Sequence, residues 1–153
     1  MTKLIHIIFF TVLLSSNAHA FTELSELLTQ ESPPGIVIEI TSGDPLYLKK
    51  IMPDLKKDIK NLQKKFTNLP VAIVSHARES LILSNDGSSK HKKLHNQIKD
   101  LSDNTNTTIH VCGTYASWFN ISESEFPEYI NVSPAGPVQV DDYVDLGYIH
   151  IEL

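Results

Sequence analysis

One cysteine, one tryptophan, two methionines and six glycines are all that this 153-residue chain carries of those four residue types. A single thiol excludes an internal disulfide framework, so the fold must be held by packing. An unpaired thiol in an oxidising compartment is shielded, modified or used. The few glycines form no phosphate-binding loop, because TSGDPLY offers one glycine after the first β-branched run where a nucleotide fingerprint needs three at fixed spacing. No serine stands in a GxSxG elbow, which removes the usual sequence support for a hydrolase. Positive charge is also short. Thirteen lysines and arginines face eighteen acids, a net charge of -5, and this balance gives no electrostatic reason to bind nucleic acid or an anionic membrane. No apolar run reaches the roughly twenty residues of a bilayer-spanning helix.

The first twenty residues, MTKLIHIIFFTVLLSSNAHA, combine a basic start at Lys3, an apolar run from Leu4 to Leu14 and the small residues of Ala18-His19-Ala20. That order predicts an export signal cut before Phe21, with no membrane association after cleavage. Removing residues 1–20 takes away one basic residue and no acid, moving the net charge from -5 to -6. Residues 21–153 are long enough for a single domain with its own core and too few for two comfortable ones.

Along this domain, FTELSELLTQESPPG reads as a short amphipathic piece ended by Pro33 and Pro34. GIVIEI predicts a first strand over Ile36–Ile40, buried on both faces. Leu48, Met52, Leu55, Ile59, Leu62 and Phe66 recur at three and four residues and predict a helix, whose regular part is expected to begin near Met52 because Pro53 suits only a first turn. PVAIVS is a second strand over residues 70–75. A short apolar stretch and the polar turn Asn85–Ser89 precede a second helix from Lys90 to Leu101. TTIHVC gives a third strand, followed by a short helix carrying Tyr115, Trp118 and Phe119. Tyr129–Val132 gives a fourth strand. A helix follows with Pro137 in its first turn, Val140 and Val144 on one side and Gly147 past its end, and YIHIEL closes as the fifth strand. Strands alternating with helices predict an α/β fold with three layers, α/β/α, around a mainly parallel five-stranded sheet.

Ligands of such sheets bind beyond the carboxyl ends of the strands. Ser75 and His76 end the second strand, Cys112 ends the third, and Ser133 precedes the turn after the fourth. Cys112 stands directly before Gly113-Thr114, where free backbone N–H groups at a helix start stabilise a thiolate and lower its pKa from about 8.5. The residues leave a second reading open, a small inert side chain in the core. His76 is a candidate proton carrier for the thiol, with an ordinary pKa of about 6.5, whereas His110 reads as a core or interface histidine. His91 and His95 are spaced four apart, but no glutamate completes HExxH and no further ligand is placed by spacing, so neither a metal nor a cofactor is expected. The aromatic group at Tyr115, Trp118 and Phe119 is expected to fill a core or a subunit contact.

Taken in order, GIVIEI, KKDIKNLQKKF, PVAIVSHARESLIL, IHVCGTYASWFNIS and YINVSPAGPVQVDDYVDLGYIHI resemble the DsrE/DsrF-like family over roughly residues 36–152. The resemblance implies a sulfur-relay role in which Cys112 accepts sulfane sulfur as a persulfide and passes it on. His76 would stand as its neighbour, with Ser75, Arg78 and Thr114 as substrate-binding candidates. It also implies assembly into a homo-oligomer and a sulfur donor or acceptor that is either a protein or a small thiol. Ala77-Arg78 replaces the glycine common after the family's histidine, placing a positive group at the entrance. An export signal removes cytoplasmic relay partners, so the alternative is an oligomeric binding or scaffold protein with an inert buried cysteine.

Overall fold

The computed structural model describes residues 24, 26, 27 and 31–153. The expected signal segment 1–20 lies outside the described residues, as do residues 21–23, 25 and 28–30 of the amphipathic piece after it. The fold is α/β, with a five-stranded sheet in the order β4-β3-β2-β1-β5. All four strand pairings are parallel, so the expectation of a mainly parallel sheet sharpens to a wholly parallel one.

β1 spans Ile36–Ile40, as the β-branched run predicts, and pairs with β2 (Val71–Ser75) on one side and β5 (Ile149–Glu152) on the other. β3 (Thr107–Cys112) pairs with β2 and with the short edge strand β4 (Asn131–Ser133). The side chains of a strand alternate between faces, and two apolar clusters record that alternation. Ile36, Ile38, Ile40, Val71, Ile73, Ile109 and Val111 join the larger cluster, under helices α1 (Tyr47–Lys65) and α3 (Lys92–Asn104). Val37, Ala72 and Val74 join the smaller one, under α5 (Gly136–Asp145) through Val140. The molecule is therefore layered as expected, with two long helices on one face of the sheet and one on the other. Leu24 and Leu27 are buried in the larger cluster.

α1 buries Leu48, Ile51, Met52, Leu55, Ile59 and Leu62, the stripe that the sequence periodicity marked. It begins earlier than expected, at Tyr47, with Pro53 inside it. Pro53 and Lys49 both lie on the exposed side, so the Lys49 carbonyl that loses its i+4 donor is left on the solvent side of the helix, and this is how the helix passes through the proline. Lys56 and Lys60 of α1 both reach Asp100 of α3 at 2.7 Å, which holds that carboxyl far below the usual range.

The expected polar turn at 85–89 is instead a short helix, α2 (Asn85–Lys90), preceded by a 3₁₀ turn over Arg78–Leu83. Ser84 caps α2 by accepting the Gly87 N–H, so a Ser-Asn-Asp-Gly run that reads as a turn starts a helix. α3 runs from Lys92 to Asn104, two residues later at its start and three at its end than its apolar stripe suggested. α5 has proline in its first turn, as expected, and Gly147 follows it with φ 82°, a conformation that glycine adopts without strain. Val140 is buried but Val144 is exposed, because in the last turn it is Tyr143 that faces the sheet. Among the described residues no helix is long and apolar enough to cross a membrane.

Candidate functional site at the carboxyl edge of the sheet

Cys112 is the last residue of β3, in register with Ser133 of β4. It is 6% exposed, yet it belongs to neither apolar cluster. Sγ accepts the Tyr115 N–H at 3.4 Å, at the start of the five-residue helix α4 (Gly113–Ser117). Two residues earlier on the same face, His110 sits in a buried hydrogen-bond chain. Ser133 Oγ donates to Gln139 Oε1 at 2.8 Å, so it accepts from His110 Nδ1 at 2.9 Å, and His110 Nε2 then accepts the Tyr143 hydroxyl at 2.9 Å. Burial pushes the His110 imidazole below its ordinary pKa and the Tyr143 phenol above its own. The expectation that His110 is a core histidine agrees with this geometry.

His76 follows β2 directly. Ser75 is in register with Val111, so the next step along the two strands sets His76 beside Cys112, with neighbouring strands about 4.8 Å apart. Both side chains belong to the face that carries α5. Val74 packs in the α5 cluster, and His110 bonds Tyr143 of α5, which fixes the alternation of both strands. The amino end of α5 closes over His76, since a Cβ built on Gly136 would stand 2.3 Å from His76 Cβ. Glycine at 136 is what allows this approach. The His76 ring is directed away from β3, with Nε2 2.6 Å from Glu39 Oε1 and 3.3 Å from Thr41 Oγ1. Glu39 Oε2 is in turn 2.6 Å from His150 Nε2. A slanted row, Cys112, His76, Glu39 and His150, thus crosses β3, β2, β1 and β5 on one face.

The other expected site residues are placed differently. Ser75 is fully buried on the opposite face, where its hydroxyl donates to Glu79 Oε1 at 2.8 Å. Glu79 is also fully buried. It accepts Ala77 N–H at 3.2 Å through the same oxygen and Ser42 N–H at 2.9 Å through Oε2, tying the loop after β1 to the loop after β2. Arg78 is exposed in that second loop. Thr114 is exposed and donates its hydroxyl to Pro134 O at 2.6 Å, linking the loops after β3 and β4. His76 and Cys112 therefore share the edge, Arg78 and Thr114 rim it, and Ser75 braces it from below.

The sequence reading passed over Glu39, His150 and Glu79. Two carried a signal, since Glu39 is the one charge inside IVIEI and His150 the one polar residue among the inner positions of YIHIE. In the His91–His95 pair, both ring nitrogens of His95 are engaged by protein groups. His95 is buried with Nε2 donating to Ile82 O at 2.8 Å and Nδ1 accepting from the Tyr129 hydroxyl at 2.7 Å. Among the described residues no group of three or more histidine, cysteine or acidic side chains is arranged to hold a metal ion. Tyr115, Trp118 and Phe119 pack against one another with ring centroids 5.3 and 5.5 Å apart, and Trp118 is 70% exposed.

No protein-family model and no curated protein matches the chain. Among solved structures, a protein of unknown function from Methanobacterium thermoautotrophicum, MTH1491, is similar in fold with a TM-score of 0.62 and 14% sequence identity. The match covers 77% of this chain and 97% of that one.

Proposed function

We propose that this chain is an exported, DsrE/DsrF-like carrier of sulfane sulfur that works through a persulfide on Cys112. The observation that carries the reading is the Tyr115 N–H directed at Cys112 Sγ at the carboxyl edge of the sheet. A backbone donor of this kind favours the negatively charged sulfur of a thiolate, and in the same way that of a persulfide anion. In the loading step the Cys112 thiolate attacks the outer sulfur of a donor R–S–SH. The Cys112 S–S bond forms, the donor S–S bond breaks, and the donor leaves as the thiolate RS⁻. In the release step an acceptor thiolate attacks the outer sulfur of the Cys112 persulfide and Cys112 leaves as a thiolate. Both steps are exchanges at sulfur and need no external oxidant or reductant.

His76 would serve as proton carrier, Arg78 and Thr114 would line the approach, and the donor or acceptor would be a partner protein or a small thiol. Exposed Trp118, Phe119, Val138, Val144 and Leu146 support assembly into a homo-oligomer. Export rests on the pattern of residues 1–20. A second reading, an oligomeric binding or scaffold protein with an inert thiol, is favoured by the 6% exposure of Cys112. Intact mass after incubation with polysulfide separates the two. The carrier gains the mass of one sulfur atom, and Cys112→Ser gains none. A native protein that stays unmodified by polysulfide and is alkylated only after unfolding is the scaffold.

A further inference from the structure

Charge is divided unevenly between the two faces of the sheet. Residues 31–153 contain eleven lysines; ten lie on α1 and α3, which share one face, and the eleventh, Lys90, ends α2 just before α3. On the opposite face α5 carries Asp141, Asp142 and Asp145 and no cation, and no lysine or arginine follows Lys99 in the chain. The mismatch is sharpest at two helix ends. α3 begins with Lys92 and Lys93, with no acid in its first turn and no capping side chain, although the amino end of a helix favours negative charge. α5 closes with Asp142 and Asp145 and no basic residue in its last turn, although the carboxyl end favours positive charge. Each end carries the sign that the other lacks. A hollow of about 300 Å³ lies at the start of α3, lined by Lys49, Lys90, His91, Lys92 and Lys93 among others. Lys90 pairs with Asp86 at 2.7 Å, but among the described residues Lys49, Lys92 and Lys93 make no ion pair. Asp141, Asp142 and Asp145 make none either, and exposed Val138, Val144 and Leu146 stand among them.

We infer that the outer face of α5, acidic with exposed aliphatic side chains, docks on the basic hollow at the start of α3 in a second copy of this chain. The inference rests on the homo-oligomer reading and deepens it by naming the two surfaces that meet. Asp142 and Asp145 of one copy meet Lys92 and Lys93 of the next, supplying the negative charge that the first turn of α3 lacks, while Val138, Val144 and Leu146 are withdrawn from water. A two-fold contact of α5 with itself would set these carboxylates against their own copies, which repulsion disfavours. Because the two surfaces lie on opposite faces of the sheet, each copy offers one surface to the next. The assembly is therefore head-to-tail, a ring or a filament.

Sedimentation velocity of the purified protein tests the contact with two charge-reversed variants, Lys92→Glu with Lys93→Glu, and Asp142→Lys with Asp145→Lys, all at exposed positions. The unsubstituted protein is expected to associate as its concentration rises at low salt, and more weakly at 1 M salt, where charges are screened beyond about 3 Å. Each variant alone is expected to associate at least about tenfold more weakly. An equimolar mixture of the two should restore association, because the reversed hollow of one then receives the reversed helix of the other, and this recovery also shows that both variants are folded. Association that either variant leaves unchanged, or that mixing does not restore, overturns this docking while the homo-oligomer reading stands. A protein that stays monomeric at low salt overturns both. Sulfur uptake by Cys112, read by intact mass, is a separate measurement that neither result decides.

Discussion

Replacing Glu79 with glutamine tests how the carboxyl edge is built. The buried side chain receives three donors, Ser42 N–H at one oxygen and Ala77 N–H with the Ser75 hydroxyl at the other. In Glu79→Gln an amide nitrogen must replace one of these oxygens. If it replaces Oε2 it meets the Ser42 N–H, and if it replaces Oε1 it meets the Ala77 N–H. The serine hydroxyl can rotate to accept, but a backbone N–H cannot, so either orientation leaves one buried donor without an acceptor. That costs about 1–3 kcal/mol, and with about 3 °C per kcal/mol for a domain of this size the midpoint of thermal unfolding should fall by roughly 6 °C. Glu79→Ala orphans all three donors and should cost roughly 3–6 kcal/mol. Urea titration followed by circular dichroism measures both, with the slope against urea unchanged. Because the two loops frame His76, amide resonances of residues 41–43 and 76–79 should shift in Glu79→Gln while those of α3 do not. A stability loss under about 0.5 kcal/mol for the glutamine variant would refute the clamp.

Other consequences can be measured in the same preparations. Burial holds His95 and His110 below their ordinary pKa of 6.5, so below that pH the unfolded chain binds protons that the folded chain refuses. Stability is therefore fully present above about pH 6.5 and declines as the pH falls toward the lower folded values, and the urea midpoint should drop between pH 7 and pH 5, with a shallower drop in His95→Gln and His110→Gln. Gly136→Ala drives a Cβ to 2.3 Å from His76 Cβ. It should cost about 1–3 kcal/mol and displace the His76 ring resonances, whereas stability loss with those resonances in place would mean that α5 does not seat the ring. Tyr129→Phe removes the hydroxyl bonded to His95 Nδ1 and should destabilise by about 1 kcal/mol in urea titrations, without altering Cys112 alkylation.

Most of the architecture was legible because strands and helices here obey different periods. Val37, Ile38 and Ile40 form an apolar block no longer than a buried strand, and Leu48 to Leu62 repeat at helical spacing, so β1 and α1 could be read directly. The errors arose where local chemistry competes. Pro53 reads as a helix start because its missing N–H is harmless there, yet on the solvent side of α1 the same loss is tolerated in mid-helix. Ser84-Asn85-Asp86-Gly87 has turn composition, but the Ser84 hydroxyl caps the Gly87 N–H and begins α2. At the candidate site, a strand end could be located from the sequence, so Cys112 and His76 were found at the same edge. Their partners could not, because Glu39 and His150 meet only through the β1–β5 pairing between residues 111 apart in sequence. Ser75 shows the reverse case. It ends its strand as expected, but alternation turns its hydroxyl to the face opposite Cys112, toward Glu79.

The sharpest test is release of the sulfur that Cys112 is proposed to hold. Protein incubated with polysulfide, freed of excess reagent and treated with cyanide in the cold should give one thiocyanate per chain and regain its starting mass, and Cys112→Ser should give none. Equal thiocyanate from both proteins, or none from either, would contradict a persulfide at Cys112.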